Sequence, residues 1–226
     1  MLGHVRWGLV TGLAGMALAL SGPGAVHAAD FGLGAGTGAL SPYYFHLFGG
    51  PSIPQAVHGV DESSAPSRDY VVTLKNPGYL VGGAVGMRFS KNWRAEGEVA
   101  YRRYALDHVT YTTSTALHGY ADALSFMGNI WYDVPHGGRW TPYVGGGAGI
   151  ARATYNNKNS GFKASDNGFI FQLGAGVNWM MTDNIALDVG YRFRGILDLR
   201  FSDSTVLYTG NNYYGHNVVA GVTVGF

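Results

Sequence analysis

The chain has 226 residues, no cysteine and nearly balanced charge, with 15 Lys or Arg against 14 Asp or Glu. That length suits one sizeable domain; the missing thiols exclude a disulfide framework, a thiolate metal site and a cysteine nucleophile, and the charge balance provides no basic face for nucleic acid. Glycine is abundant at 36 residues and aromatics reach 14%, while charged residues are only 13%; without a collagen period or low-complexity tracts, this composition suits membrane strands.

Residues 1–28 read as a cleaved signal peptide: Arg6 is its positive start, LVTGLAGMALAL (9–20) its apolar stretch and Val26-His27-Ala28 its small-residue cleavage site. The apolar stretch is shorter than the roughly 20 residues of a spanning helix. Loss of Arg6 leaves a mature chain that is formally neutral with His uncharged. No later apolar run is long enough for a helical span, so any membrane crossing must use strands.

A glycine-rich lead at 29–42 is expected to be irregular, ahead of a single domain at 43–226. The first strand is predicted at 43–50 (YYFHLFGG), and 52–77, with three prolines and mixed charge, reads as a long loop. Residues 78–89 alternate, with Tyr79, Val81, Val85, Met87 and Phe89 opposite Leu80, Ala84 and Arg88. After the turn Ser90-Lys91-Asn92, residues 93–104 place Trp93, Val99 and Tyr101 opposite Arg94, Glu96, Glu98 and Arg102. A polar loop follows at 105–118.

The strand at 119–134 groups Leu124, Phe126, Ile130 and Tyr132 against Ser125, Asn129 and Asp133. After a turn at 135–139, residues 140–155 carry Gly145, Gly147 and Gly149 on one face, leaving room for long side chains from other strands. Beyond a polar loop at 156–167, residues 168–181 set Phe169, Phe171, Leu173, Val177 and Trp179 against Gln172 and Asn178. Thr182-Asp183-Asn184 turns the chain into 185–194, where Ile185, Leu187, Val189, Tyr191 and Phe193 oppose Asp188, Arg192 and Arg194. A final loop at about 197–214 precedes the terminal strand, whose Val218, Ala220, Val222, Val224 and Phe226 share one face.

Long polar loops and short turns therefore alternate between eight strands. This is the pattern of an all-β, eight-stranded antiparallel transmembrane up-and-down barrel, with four long outer loops, short periplasmic turns and both ends of the barrel on the periplasmic side. The charges Arg88, Arg94, Glu96, Glu98, Arg102, Asp133, Asp188, Arg192 and Arg194 all lie opposite the apolar face. A soluble secreted barrel is the alternative, but it has no need for Phe89, Trp93, Tyr132, Trp140, Trp179, Tyr191, Phe193 and Phe226 at strand ends on the apolar side, where rings favour a membrane interface.

The segments NWRAEGEVAYRRY, TPYVGGGAGIA, FQLGAGVNW, NIALDVGYRFR and VVAGVTVGF resemble the opacity-type, porin-like family of small outer-membrane surface antigens, from about Tyr43 to Phe226. The resemblance implies an OmpA-like transmembrane barrel without the peptidoglycan-binding domain. It also implies insertion by the barrel-assembly machinery, which reads a C-terminal signal such as Val224-Gly225-Phe226.

An eight-stranded barrel is just wide enough for side chains to fill it. The nine inward charges are expected to pair, Glu96 and Glu98 with Arg192 and Arg194 among them, since an unpaired buried charge costs several kcal/mol. The alternative is a narrow ion or solute channel. GAGTG (34–38) and GGGAG (145–149) open no helix and so are not phosphate loops.

No cofactor is expected, and the His and acidic spacing supports no metal site. His58, His108 and His118, near Asp61, Glu62, Ser114 and Asp122, leave a lipid-A-modifying enzyme as a further alternative, although no nucleophile elbow is present. The outer loops, with Tyr70, Tyr208, Tyr213 and Tyr214, are the expected surface for lipopolysaccharide, a host molecule or another cell.

Overall fold

The computed structural model describes residues 42–62, 66–135, 138–202 and 207–226, so the predicted signal peptide and nearly all of the glycine-rich lead lie outside the described residues. The strands are β1 (Tyr43–Pro54), β2 (Val57–Asp61), β3 (Arg68–Leu74), β4 (Gly78–Arg88), β5 (Trp93–Thr110), β6 (Ser114–Ala116), β7 (Gly119–Asp133), β8 (Trp140–Asn157), β9 (Phe162–Met180), β10 (Ile185–Ser202) and β11 (Leu207–Gly225). Eight of them form an antiparallel ring, β1-β4-β5-β7-β8-β9-β10-β11, which closes where Tyr44 faces Gly225 and Leu47 faces Val222. Followed once around in this order, the register returns about ten residues later on β1, from Tyr44 to Pro54, the stagger that tilts strands by roughly 40°.

Short turns join the ring at the end that carries Tyr43 and Phe226. Small polar side chains stabilise them: the Asn92 amide donates to the Asp133 carbonyl at 2.8 Å, and the Thr182 hydroxyl accepts the Asn184 and Ile185 N–H groups at 3.3 and 3.1 Å.

At the other end the connections are long, as expected, but much of each is strand. β5 runs to Thr110 rather than stopping near 104, β8 and β9 leave only a tight turn between Asn157 and Phe162, and β10 continues to Ser202. The segment 52–77 is not an open loop. Its β2–β3 hairpin enters the wall above the ends of β1 and β4, with Thr209 facing Val60 on one side and Val71 facing Thr110 on the other. Strands of 18 or 19 residues, tilted as above, reach roughly 45 Å along the axis, against an apolar band of about 25 Å in membrane barrels. The wall therefore continues well beyond that band.

The interior has two levels. Near the short turns it is polar. Above it lies a dry core that includes Val57, Val72, Leu74, Leu106, Met127, Ile170, Ile196, Leu199 and Phe201, all buried. Tyr70 and Tyr213 belong to this core at 6% exposure each, which corrects the expectation that they are displayed by the outer loops. Tyr214 stacks instead on Phe193 on the outer wall, 5.9 Å between centroids. Trimming Ile196, which is fully enclosed, to valine is expected to cost about 1 kcal/mol. A lower midpoint in thermal unfolding, followed by heat-modified gel mobility, checks this.

Candidate functional site

Strand parity sends Arg94, Glu96, Glu98 and Arg102 of β5 into the lumen, where they meet inward residues of β7, β9 and β10. Glu98 is the hub. Its carboxylate accepts from Arg192 Nη1 at 2.8 Å, Arg194 Nη2 at 2.7 Å, Asn129 Nδ2 at 3.0 Å and Gln172 Nε2 at 3.2 Å. Every partner is buried, so all of the carboxylate's bonds are made away from solvent. A buried carboxylate needs this many donors to offset its desolvation.

Glu96 does not reach across to β10 as expected. It pairs with Arg94 on its own strand at 3.2 Å and accepts from the Tyr44 hydroxyl and the Trp131 indole N–H, each at 2.8 Å. The stagger explains this: Glu96 sits one inward position nearer the short turns than Glu98, in register with Tyr44 through Gly86 and one inward position above Trp131, which faces Arg94. Asp133, lowest of all, accepts from Arg88 at 2.7 Å and Arg94 at 3.0 Å. Asp188 accepts from the Tyr143 hydroxyl at 2.5 Å and lies 3.4 Å from His46 Nε2.

Tyr44, His46, Trp131, Tyr143 and Gln172 are thus partners that sequence reasoning missed. Their signal was available, since each shares the inward parity of a charged or amide neighbour. Trp131 fits because glycine stands opposite it: a Cβ on Gly174 would lie 3.2 Å from its ring, and one on Gly145 would lie 2.8 Å away. Arg192 completes the packing 4.2 Å from the Phe48 ring centre. Replacing Trp131 with phenylalanine keeps the stacking and removes the bond to Glu96, an expected loss of about 2 kcal/mol in unfolding free energy.

Arg102 is the exception among the nine charges. It is buried, and no carboxylate reaches it among the described residues. Directly above, the Tyr104 hydroxyl donates to Ser52, and Ser52 donates to Asn217 Oδ1, each at 2.5 Å. The dry core starts there.

On the outer wall, Phe89, Trp93, Tyr132, Trp140, Trp179 and Phe226 ring the end with the short turns. Trp140 stacks on Trp179 at 5.3 Å, Trp93 meets Tyr132 at 4.9 Å and Phe226 stacks on Phe45 at 4.8 Å. Tyr191 and Phe193 are not at a strand end, because β10 extends eight or more residues beyond them to Ser202. They belong to a second, higher group with Phe171, Tyr214 and His216, where the Tyr191 hydroxyl lies 2.6 Å from His216 Nδ1. Between the two groups the exposed side chains are apolar, among them Leu47, Val85, Ile130, Leu173 and Val189.

His108 touches Asp107 at 3.1 Å, and no serine hydroxyl bonds to it among the described residues. His58 lies across from Val71 in the hairpin, and His118 is exposed at the outer end, so the structure does not gather the three histidines. No group of three or more His, Asp or Glu positioned to hold a metal occurs among the described residues.

Residues 9–226 match the model of the outer membrane protein beta-barrel domain. The chain belongs to that family. It is an integral outer-membrane β-barrel protein, and its outward apolar band faces lipid. Over 77 residues it is 31% identical to the outer membrane protein PagN of Salmonella typhimurium, a match that covers 30% of this chain and 32% of PagN. This chain therefore spans about a third of that relative's length. The crystal structure of Neisserial surface protein A superposes with a TM-score of 0.50 at 22% identity, covering 82% of this chain and 98% of that one. OprG of Pseudomonas aeruginosa superposes at 0.55 with 15% identity, covering 84% and 100%. At these identities the two structures speak for the fold alone, an outer-membrane barrel.

Proposed function

We propose that this protein is a non-enzymatic, non-conducting outer-membrane barrel that stiffens the envelope and offers its outer wall and turns to lipopolysaccharide and to other surfaces. The observation that carries this reading is the double closure of the lumen, first by the Glu98 and Glu96 clusters and then by the dry core around Ile196 and Leu199. A filled lumen leaves ions no continuous water path, and the separated histidines provide no nucleophile–base pair.

Activity then belongs to the outside. Arg103, Arg152 and Lys163 lie on the outer wall just above the second aromatic group, Arg103 stacking 4.0 Å over Tyr120. That height suits the phosphates of lipopolysaccharide. The lower aromatic ring is proposed to anchor the barrel at the periplasmic interface. Val224 and Phe226, both exposed there, are proposed as the signal for the barrel-assembly machinery. Neisserial surface protein A is by name a surface protein, and surface display is proposed here as well.

The test is adherence of bacteria displaying the protein, compared with a variant whose turns at 111–113 and 158–160 are replaced by Gly-Ser. A several-fold loss of binding to epithelial cells or to bacteria, with unchanged heat-modified mobility, is expected. Equal binding would overturn the surface-contact role.

A further inference from the structure

Arg102 carries a charge that forms no ion pair with a carboxylate among the described residues. The four carboxylates of the polar level are already engaged: Asp133 by Arg88 and Arg94, Glu96 by Arg94, Glu98 by Arg192 and Arg194, and Asp188 by Tyr143 and His46. Arg102 is 4% exposed and its Nη1 has no hydrogen-bond partner among the described residues. Its guanidinium rests 5.5 Å from the Tyr104 ring centre, a contact that is weak beside an ion pair. The cation stands at the boundary of the dry core, where water cannot hydrate it freely and an unpaired charge is most costly.

A cavity of about 10 Å³ adjoins it, lined by Arg102, Tyr104, Ile196, Tyr213 and three alanines, together with Thr154 and Asp122, whose carboxylate is already engaged by the charges of Arg103 and Lys163. The three alanines make the space, because larger inward residues from β7 and β8 would fill it. The volume is about that of one water-sized occupant.

We infer that this cavity is a site for a small monovalent inorganic anion, chloride or a close equivalent, bound to the Arg102 guanidinium. Such an ion supplies the missing negative charge and is small enough to enter with minor adjustment of Tyr104 and Tyr213. The surrounding aliphatic and aromatic walls favour a weakly hydrated halide over a carboxylate or phosphate ester, which is too large. The cavity is partly open, so the anion enters as the barrel closes or by later exchange. It then serves as a structural ion that joins the polar level to the dry core.

The test is thermal unfolding of the refolded protein in chloride, bromide or gluconate at equal ionic strength. Chloride and bromide should raise the midpoint by about 3 °C over gluconate, saturably, and the difference should vanish in Arg102→Gln. Equal midpoints in all three salts, or a halide effect of the same size in Arg102→Gln, would overturn the site. If that variant does not fold, crystals of the unaltered protein grown in bromide decide the matter. An anomalous peak within hydrogen-bond range of Arg102 supports the site, and peaks confined to the surface refute it.

Discussion

Exchanging Glu98 for glutamine is expected to lower the unfolding midpoint of the refolded barrel by about 10 °C, or to prevent refolding. The substitution keeps the shape but strips Arg192 and Arg194 of the carboxylate they share. Breaking a buried ion pair from one side costs about 3–5 kcal/mol, and each kcal/mol moves the midpoint of a protein of this size by about 2–4 °C. A second change sharpens the claim. Replacing Arg192 and Arg194 with methionine in the Glu98→Gln background removes the orphaned charges, and much of the lost stability should return. If Glu98→Gln alone melts within about 2 °C of the unaltered protein, the carboxylate is not the hub described here.

Arginine in place of Leu47 is expected to be nearly as damaging, for the opposite reason. Leu47 is 69% exposed and lies on the apolar band between the two aromatic groups, paired with Gly83 and Val222. On a soluble barrel, such a change at so exposed a position would be close to neutral. Facing the middle of a bilayer, it costs about 2–4 kcal/mol. Folding yield into phospholipid vesicles and the urea midpoint in the folded state measure this. Arginine placed instead at Thr115, exposed on β6 above the band, should have little effect.

Below the second aromatic group the sequence was readable by parity alone. Apolar residues point out and charges point in, so alternation alone puts all nine inward charges on one face. Their pairing was not readable, because it depends on the stagger: two residues of height separate Glu96, held by Arg94, Tyr44 and Trp131, from Glu98, held from β10.

Higher up, the pattern reverses without a change of register. On β5, Val99 and Tyr101 point outward while Tyr104 and Leu106 point inward. A strand leaving lipid for water exchanges its apolar face for a polar one, and on a chain this exchange looks like the end of alternation. For that reason the segments after 104, 155 and 194 read as loops, and Tyr70 and Tyr213 as surface residues. Arg102 falls at the level of the reversal, a charge placed inward just where the inward face becomes apolar. Parity alone did not show that it lacks a carboxylate.

Single-channel recording of the refolded protein in planar bilayers, with folding confirmed first by heat-modified mobility, tests most directly the claim that the lumen is closed at both levels. A folded barrel that inserts and stays electrically silent is the predicted result. Discrete, reproducible openings that disappear on heating would contradict it.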